Sequence, residues 1–147
     1  MRDFLLYLHI VGAAGWIGGG LFAIFAFPAV ASSGPPAAAS ILESFEKRSG
    51  PYFGITSGLV LLSGIALVLT SDVFGWGDAF VLIGLGAFLI TAIVESTLGR
   101  RANERLTSAA ESGADLPRAV SSWRRISIID LVVLFVVVWA MITKIGA

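Results

Sequence analysis

The sequence predicts an all-α integral membrane protein: a four-helix bundle with both termini outside. Three observations predict it: a scarcity of charge, four apolar stretches of spanning length, and an uneven split of lysine and arginine between the connections. Hydrophobic residues make up 56% and charged residues 14%, against roughly 25% charged in an ordinary soluble domain. A water-exposed globule of this composition would lack polar surface. A membrane span takes about 20 mostly apolar residues, and 4–28, 51–70, 79–97 and 126–145 each supply one. The 147 residues suit a single transmembrane domain.

Ten Lys and Arg balance ten Asp and Glu, and no basic cluster interleaved with aromatics argues for a nucleic-acid partner. The placement of the cations is more informative. Arg100, Arg101, Arg105, Arg118, Arg124 and Arg125 lie between the third and fourth spans, and Lys47 and Arg48 precede the second. Only Arg2 and Lys144 fall on the other side. The positive-inside rule then puts those two connections in the cytoplasm.

The first apolar run starts almost at Met1, lacks a strongly basic leader and has no convincing small-residue cleavage site, so it reads as a retained helix. It should end near "FPAVASSGPPAAAS", where Pro28, Gly34, Pro35 and Pro36 interrupt the pattern. In "ILESFEKR", Ile41, Leu42 and Phe45 recur at helical spacing, which suits a short amphipathic piece on the cytoplasmic surface or a solvated linker. Between spans two and three, "SDVFGWGDA" is short, acidic and rich in turn residues, as a tight external hairpin requires. The third helix should continue past the bilayer through "GRRANERLTSAAESG" to a stop at Gly113, with Pro117 in the first turn of the fourth. Tyr7, Trp76 and Trp139 would mark the outer interface, and Tyr52 and Trp123 the inner one. Trp16 falls near mid-span, outside either belt.

Cysteine is absent, so any metal or cofactor must use His, Met or oxygen ligands. The only histidine, His9, lies in "YLHIVGAAGWIGGG", about one and a half turns into the first helix. An ionisable group at that depth points to function, or else to a neutral ring hydrogen-bonded across a helix interface. Gly12, Ala13, Trp16, Gly19 and Gly20 follow at spacings of three and four, leaving a stripe nearly bare of side chains against which a flat ring could lie. Close helix packing is the other use of such a stripe, and Gly15 and Gly19 form a GxxxG pair. On helix two, Gly50, Gly54 and Gly58 recur every four residues beside Ser57 and Gly64. They suit helix packing first, and a wall of a narrow slot second.

A second ligand besides His9 must come from elsewhere. Met141, about one turn inside the end of helix four and in the same leaflet, could bind haem iron or Cu(I) through its thioether, or simply fill the core. A symmetric homodimer supplying His9 twice is another route. Glu95 and Asp130, near the cytoplasmic ends of neighbouring spans, form a separate polar pair. Ion pairing of Glu95 with Arg48, Arg124 or Arg125 is favoured over proton relay.

The pattern "HIVGAAGWIGGGLF" resembles the start of the HemJ-type protoporphyrinogen oxidases, the CopD-type copper-resistance membrane proteins and a group of small bacterial membrane proteins related to both. The tail "WAMITKIG" is similar to the close of that last group. Outside helix one the further polar residues do not match the HemJ pattern. The resemblance implies a bacterial inner-membrane protein in which His9 binds haem b, with Met141 or a second His9 opposite and Gly12, Trp16 and Gly19 lining the ring. Its implied activity is electron transfer or porphyrinogen oxidation, with a porphyrin or quinone-like small molecule as substrate and lipid and a second copy as partners. Copper handling through His9 and Met141, and a non-catalytic scaffold or accessory subunit, are the alternatives.

Overall fold

The computed structural model describes residues 1–144, and position 145, where the sequence ends the fourth span, lies outside them. The chain forms α1 (Arg2–Ala31), α2 (Pro35–Leu69), α3 (Ala79–Val94), a π turn (Glu95–Gly99), α4 (Arg100–Ser112) and α5 (Leu116–Thr143). Four helices, counting α3 through α4 as one, are long and apolar enough to cross a membrane. The all-α four-helix expectation holds.

The junctions follow from local chemistry. α1 runs through Pro28 and stops at Ala31, where the Ser32 and Ser33 hydroxyls donate to the Ala29 and Val30 carbonyls at 2.6 and 2.7 Å. Gly34 turns the chain at φ 92, a conformation costly for any residue with a Cβ. Pro35 and Pro36 then open α2, where amide hydrogens would have no helical partner. The expected separate piece at "ILESFEKR" is instead the first half of one continuous helix. Pro51 removes a single backbone bond, and α2 continues past it. At about 1.5 Å per residue, α2 exceeds the about 30 Å of a bilayer core, so its first turns stand clear of the apolar region.

The α2–α3 connection is the expected tight turn. The Ser71 hydroxyl accepts from the Phe74 amide at 2.9 Å, and the Asp78 carboxylate accepts from the Gly75 amide at 2.9 Å. Arg2 and Lys144 lie over the Phe74 ring, 5.9 and 4.9 Å from its centre. Those contacts gather the N-terminus, the end of α5 and this turn at one end of the molecule, here the hairpin end. At the other end, the cap end, Gly113 stops α4 at φ 68 as its sequence position implies.

α1 packs against α2 and α5, α3 against α5, and α4 against α2 and α5, while α2 and α3 barely touch. The densest packing is at the cap end, where Phe27, Ala38, Leu42, Leu106, Ala110 and Val120 form a buried core. Phe27 stacks on Trp123 at 4.2 Å and meets Phe45 edge-on at 4.9 Å. Along the rest of the bundle, large apolar residues such as Phe25, Ile55, Leu62, Ile93 and Trp139 face outward. That surface suits lipid rather than water.

Candidate functional site

Two places in the bundle carry polar chemistry, and they lie on different helix pairs. The first is His9. Its Nδ1 sits 2.9 Å from the Val60 carbonyl and 3.2 Å from the Ser63 hydroxyl oxygen on α2. Ser63 donates its own proton to the Leu59 carbonyl, so both neighbours of Nδ1 are acceptors. The proton is therefore on Nδ1, and in the neutral ring the lone pair is on Nε2. Gly64 makes the approach possible: a Cβ there would lie 3.1 Å from His9 Cε1.

The stripe below His9 is covered by α2. A Cβ on Gly12 would meet the Val60 side chain at 3.0 Å and the Thr56 carbonyl at 3.1 Å, and one on Gly15 would meet the Thr56 methyl at 2.9 Å. At Gly19 the Tyr52 ring would be 2.6 Å away and Phe53 3.1 Å. Tyr52 is pinned there by donating its hydroxyl to the Gly15 carbonyl at 2.7 Å. Trp16 points elsewhere and meets Phe88 of α3 edge-on at 5.8 Å. Met141 turns to α3, where a Cβ on Gly84 would lie 2.9 Å from its methyl carbon. Thus Gly12 and Gly19 share the α1–α2 interface with His9, but the structure does not bring Trp16 or Met141 to the imidazole. A haem ring has no room along Gly12 and Gly19 within one chain, whereas the tautomer of His9 does suit an axial ligand.

The second place is a cavity of about 340 Å³ between α2 and α3, floored by α1 and α5. Trp16 and Gly20 come from α1, Phe53, Gly54 and Ser57 from α2, Phe88 and Thr91 from α3, and Trp123, Ser127 and Asp130 from α5. Glu95 and Gly99 of the π turn and Asn103 of α4 complete it towards the cap end. The α5 lining from Trp123 to Leu134 covers about 16 Å of helix. Cavities of this size take small molecules.

Its electrostatics are one-sided. Asp130 lies within Coulombic reach of Glu95 and beside Thr91. The expected pairing of Glu95 with Arg48, Arg124 or Arg125 does not occur: the ion pairs among the described residues are Lys47–Glu43, Arg100–Glu104 and Arg118–Asp115. Those arginines are exposed, and among the described residues no basic side chain lines the cavity. The hydroxyls of Ser49, Ser57 and Ser127 each donate to a carbonyl of their own helix, at 3.3, 3.4 and 3.2 Å. Their oxygens are left as acceptors. Trp123 Nε1 donates to Asn103 Oδ1 at 2.8 Å, which ties α5 to α4 at the cap end. The cavity thus presents carboxylates, hydroxyl oxygens and aromatic rings.

Of the glycine run of α2, Gly50 and Gly54 line this cavity. A Cβ at Gly50, Gly54 or Gly58 would meet nothing within 4 Å, because α1 covers the face of α2 that carries Tyr52, Thr56, Val60 and Ser63. The π turn was not foreseen, although the four-residue spacing of Thr91, Glu95, Gly99 and Asn103 was a signal: all line the cavity. A family model described as "Predicted integral membrane protein (DUF2269)" matches residues 3–145. No curated protein and no solved structure matches the chain.

Proposed function

The chain belongs to the DUF2269 family of integral membrane proteins, and from that premise we propose that it binds a small organic cation within the membrane, between α2 and α3. The observation that carries this reading is the lining itself: two carboxylates, acceptor hydroxyls and aromatic faces, with no basic side chain among them. Carboxylates inside a bilayer are costly unless they hold a proton or a cation. An ammonium with an apolar body meets both halves of the lining, its charge on Glu95 and Asp130 and its body against Trp16, Phe53 and Phe88, where cation–π attraction adds to burial. The loose contact between α2 and α3 gives a lipid-dissolved ligand a lateral way in. The basic residues of the connections support a cytoplasmic cap end, and on this reading the membrane is a bacterial inner membrane.

The test uses benzyltrimethylammonium and its uncharged carbon isostere, neopentylbenzene, with the protein in lipid nanodiscs and tryptophan fluorescence as the readout. The cation should bind at least tenfold more tightly than the isostere, and Glu95→Gln and Asp130→Asn should each erase most of that difference. Equal binding of the two compounds, or binding of neither, overturns the reading.

A second reading is favoured by one observation, the Nδ1 hydrogen bond that leaves the His9 lone pair on Nε2. A backbone carbonyl partner of this kind is the usual second support of a metal-ligating imidazole. On that reading His9 would hold haem b through Nε2, and since Gly12 and Gly19 are taken up by α2, the remaining surface would come from a second copy of the chain. When bound, the haem would supply one-electron transfer, taking electrons from a quinone-like or porphyrin donor. An absorption spectrum of the purified protein, oxidised and dithionite-reduced, decides it: a Soret band lost in His9→Ala supports the reading, and a colourless protein from haem-replete cells ends it.

A further inference from the structure

We propose that the π turn, with Gly99 as its side-chain-free end, is the device that holds the Glu95 carboxyl in the cavity, so that Gly99 is the positioning residue of the cation site. The inference rests on the cation reading of that cavity and adds to it the residue that sets its charge in place.

The geometry begins with a mismatch. In an α-helix a step of four residues overshoots one turn of 3.6, so successive steps drift by about 40° and three steps by about 120°. Thr91, Glu95, Gly99 and Asn103 are separated by three such steps, yet all four line the same cavity. The π turn over Glu95–Gly99 lies between the first and last of them. Its wider i to i+5 turn takes up part of the drift, which keeps the row facing inward. π turns inside α-helices are uncommon and concentrate at functional sites.

Gly99 then determines where Glu95 can go. The Glu95 side chain folds over the Gly99 backbone, and a Cβ at Gly99 would fall 3.0 Å from the carboxyl carbon and closer still to Oε2. Gly99 is itself buried. The backbone there is right-handed and helical on either side, so turn conformation does not demand glycine. The neighbour a Cβ would meet is the tip of the flexible Glu95 side chain, so a side chain at 99 would displace the carboxyl rather than disrupt the helix. A side chain at 99 pushes that carboxyl away from its present place, within Coulombic reach of Asp130.

The experiment is a double-mutant cycle on Gly99→Ala and Glu95→Ala, read by benzyltrimethylammonium affinity across pH and by thermal unfolding. Gly99→Ala alone should weaken cation binding about tenfold and should change its pH profile in the same direction as Glu95→Gln. In the Glu95→Ala background the carboxyl that collides with the new methyl is gone, so Gly99→Ala should have no further effect on affinity and should raise the unfolding temperature. Equal cost in both backgrounds, or wild-type affinity and pH profile in Gly99→Ala, overturns the proposal. Should the wild type bind no cation, the cation reading fails by itself. The unfolding cycle still tests the positioning role, since a Glu95–Gly99 contact makes the two substitutions non-additive and additive costs overturn it.

Discussion

Two glycine runs on neighbouring helices, one spaced by three and four residues and one by four, have opposite surroundings. On α1, Gly12, Gly15 and Gly19 lie hard against Val60, Thr56 and the Tyr52 and Phe53 rings; on α2, Gly50, Gly54 and Gly58 face open space. The first run exists so that two backbones can approach, with Tyr52 and His9 hydrogen-bonding across the join to Gly15 and Val60. In the second, Gly50 and Gly54 keep a wall smooth on the cavity side, and Gly58 faces open space beyond it. A small-residue repeat therefore states that a helix face is flat and leaves open whether protein or a ligand covers it.

Substitutions that fill each face separate the two uses, and the largest effect belongs to α1. Gly19→Leu would drive its side chain into the Tyr52 ring, which cannot retreat without losing its bond to the Gly15 carbonyl. Overpacking of this kind costs about 1–3 kcal/mol, so the variant should unfold earlier in a detergent or thermal titration than wild type. An unchanged midpoint would mean that the α1–α2 join is looser than it looks. Next in size is Gly54→Leu, which fills empty space: cation affinity should fall at least tenfold, about 1.4 kcal/mol, with no loss of folded stability. If affinity survives, the ligand does not use this wall.

Gly58→Ala should act through the backbone alone, stabilising α2 by about 0.5–1 kcal/mol because alanine loses less chain entropy in a helix interior. A decrease in stability would show that something covers this face in the membrane. The smallest effect is expected far from both runs, at Glu43. Lys47, bonded to it at 2.7 Å, holds the Glu43 carboxyl below its ordinary range. Its folded-state value is depressed, so any stabilisation is present above the ordinary carboxylate range and is lost as pH falls through the depressed value. The pair is fully exposed, and Glu43→Gln should leave the unfolding curve unchanged at pH 7. A clear shift there would place the cap-end surface in contact with something that excludes water.

Much of this architecture is legible in the amino-acid order because the physics behind it is local. Twenty apolar residues in a row need a bilayer, Gly34 with two prolines turns a chain, Gly113 stops a helix, and Ser71 and Asp78 build a tight turn from their own neighbours. The His9 interface is half legible: a lone imidazole among glycines signals a close contact, but whether protein or a flat ligand makes it is written in Val60, Ser63 and Gly64, more than 50 positions away.

Tertiary structure alone decided the rest, since it depends on how helices rotate against one another. The arginines flanking the third and fourth spans were reasonable partners for Glu95 by depth, yet they stay exposed and unpaired with it, while Glu95 and Asp130 line one cavity. The same rotation sends Trp16 to Phe88 and Met141 to Gly84, away from His9. Depth in the membrane is a one-dimensional property, fixed by counting residues along a helix, and the sequence determines it. Azimuth is set by which faces pack best across the whole bundle and by a π turn that shifts the register of one helix, and only the folded chain supplies it.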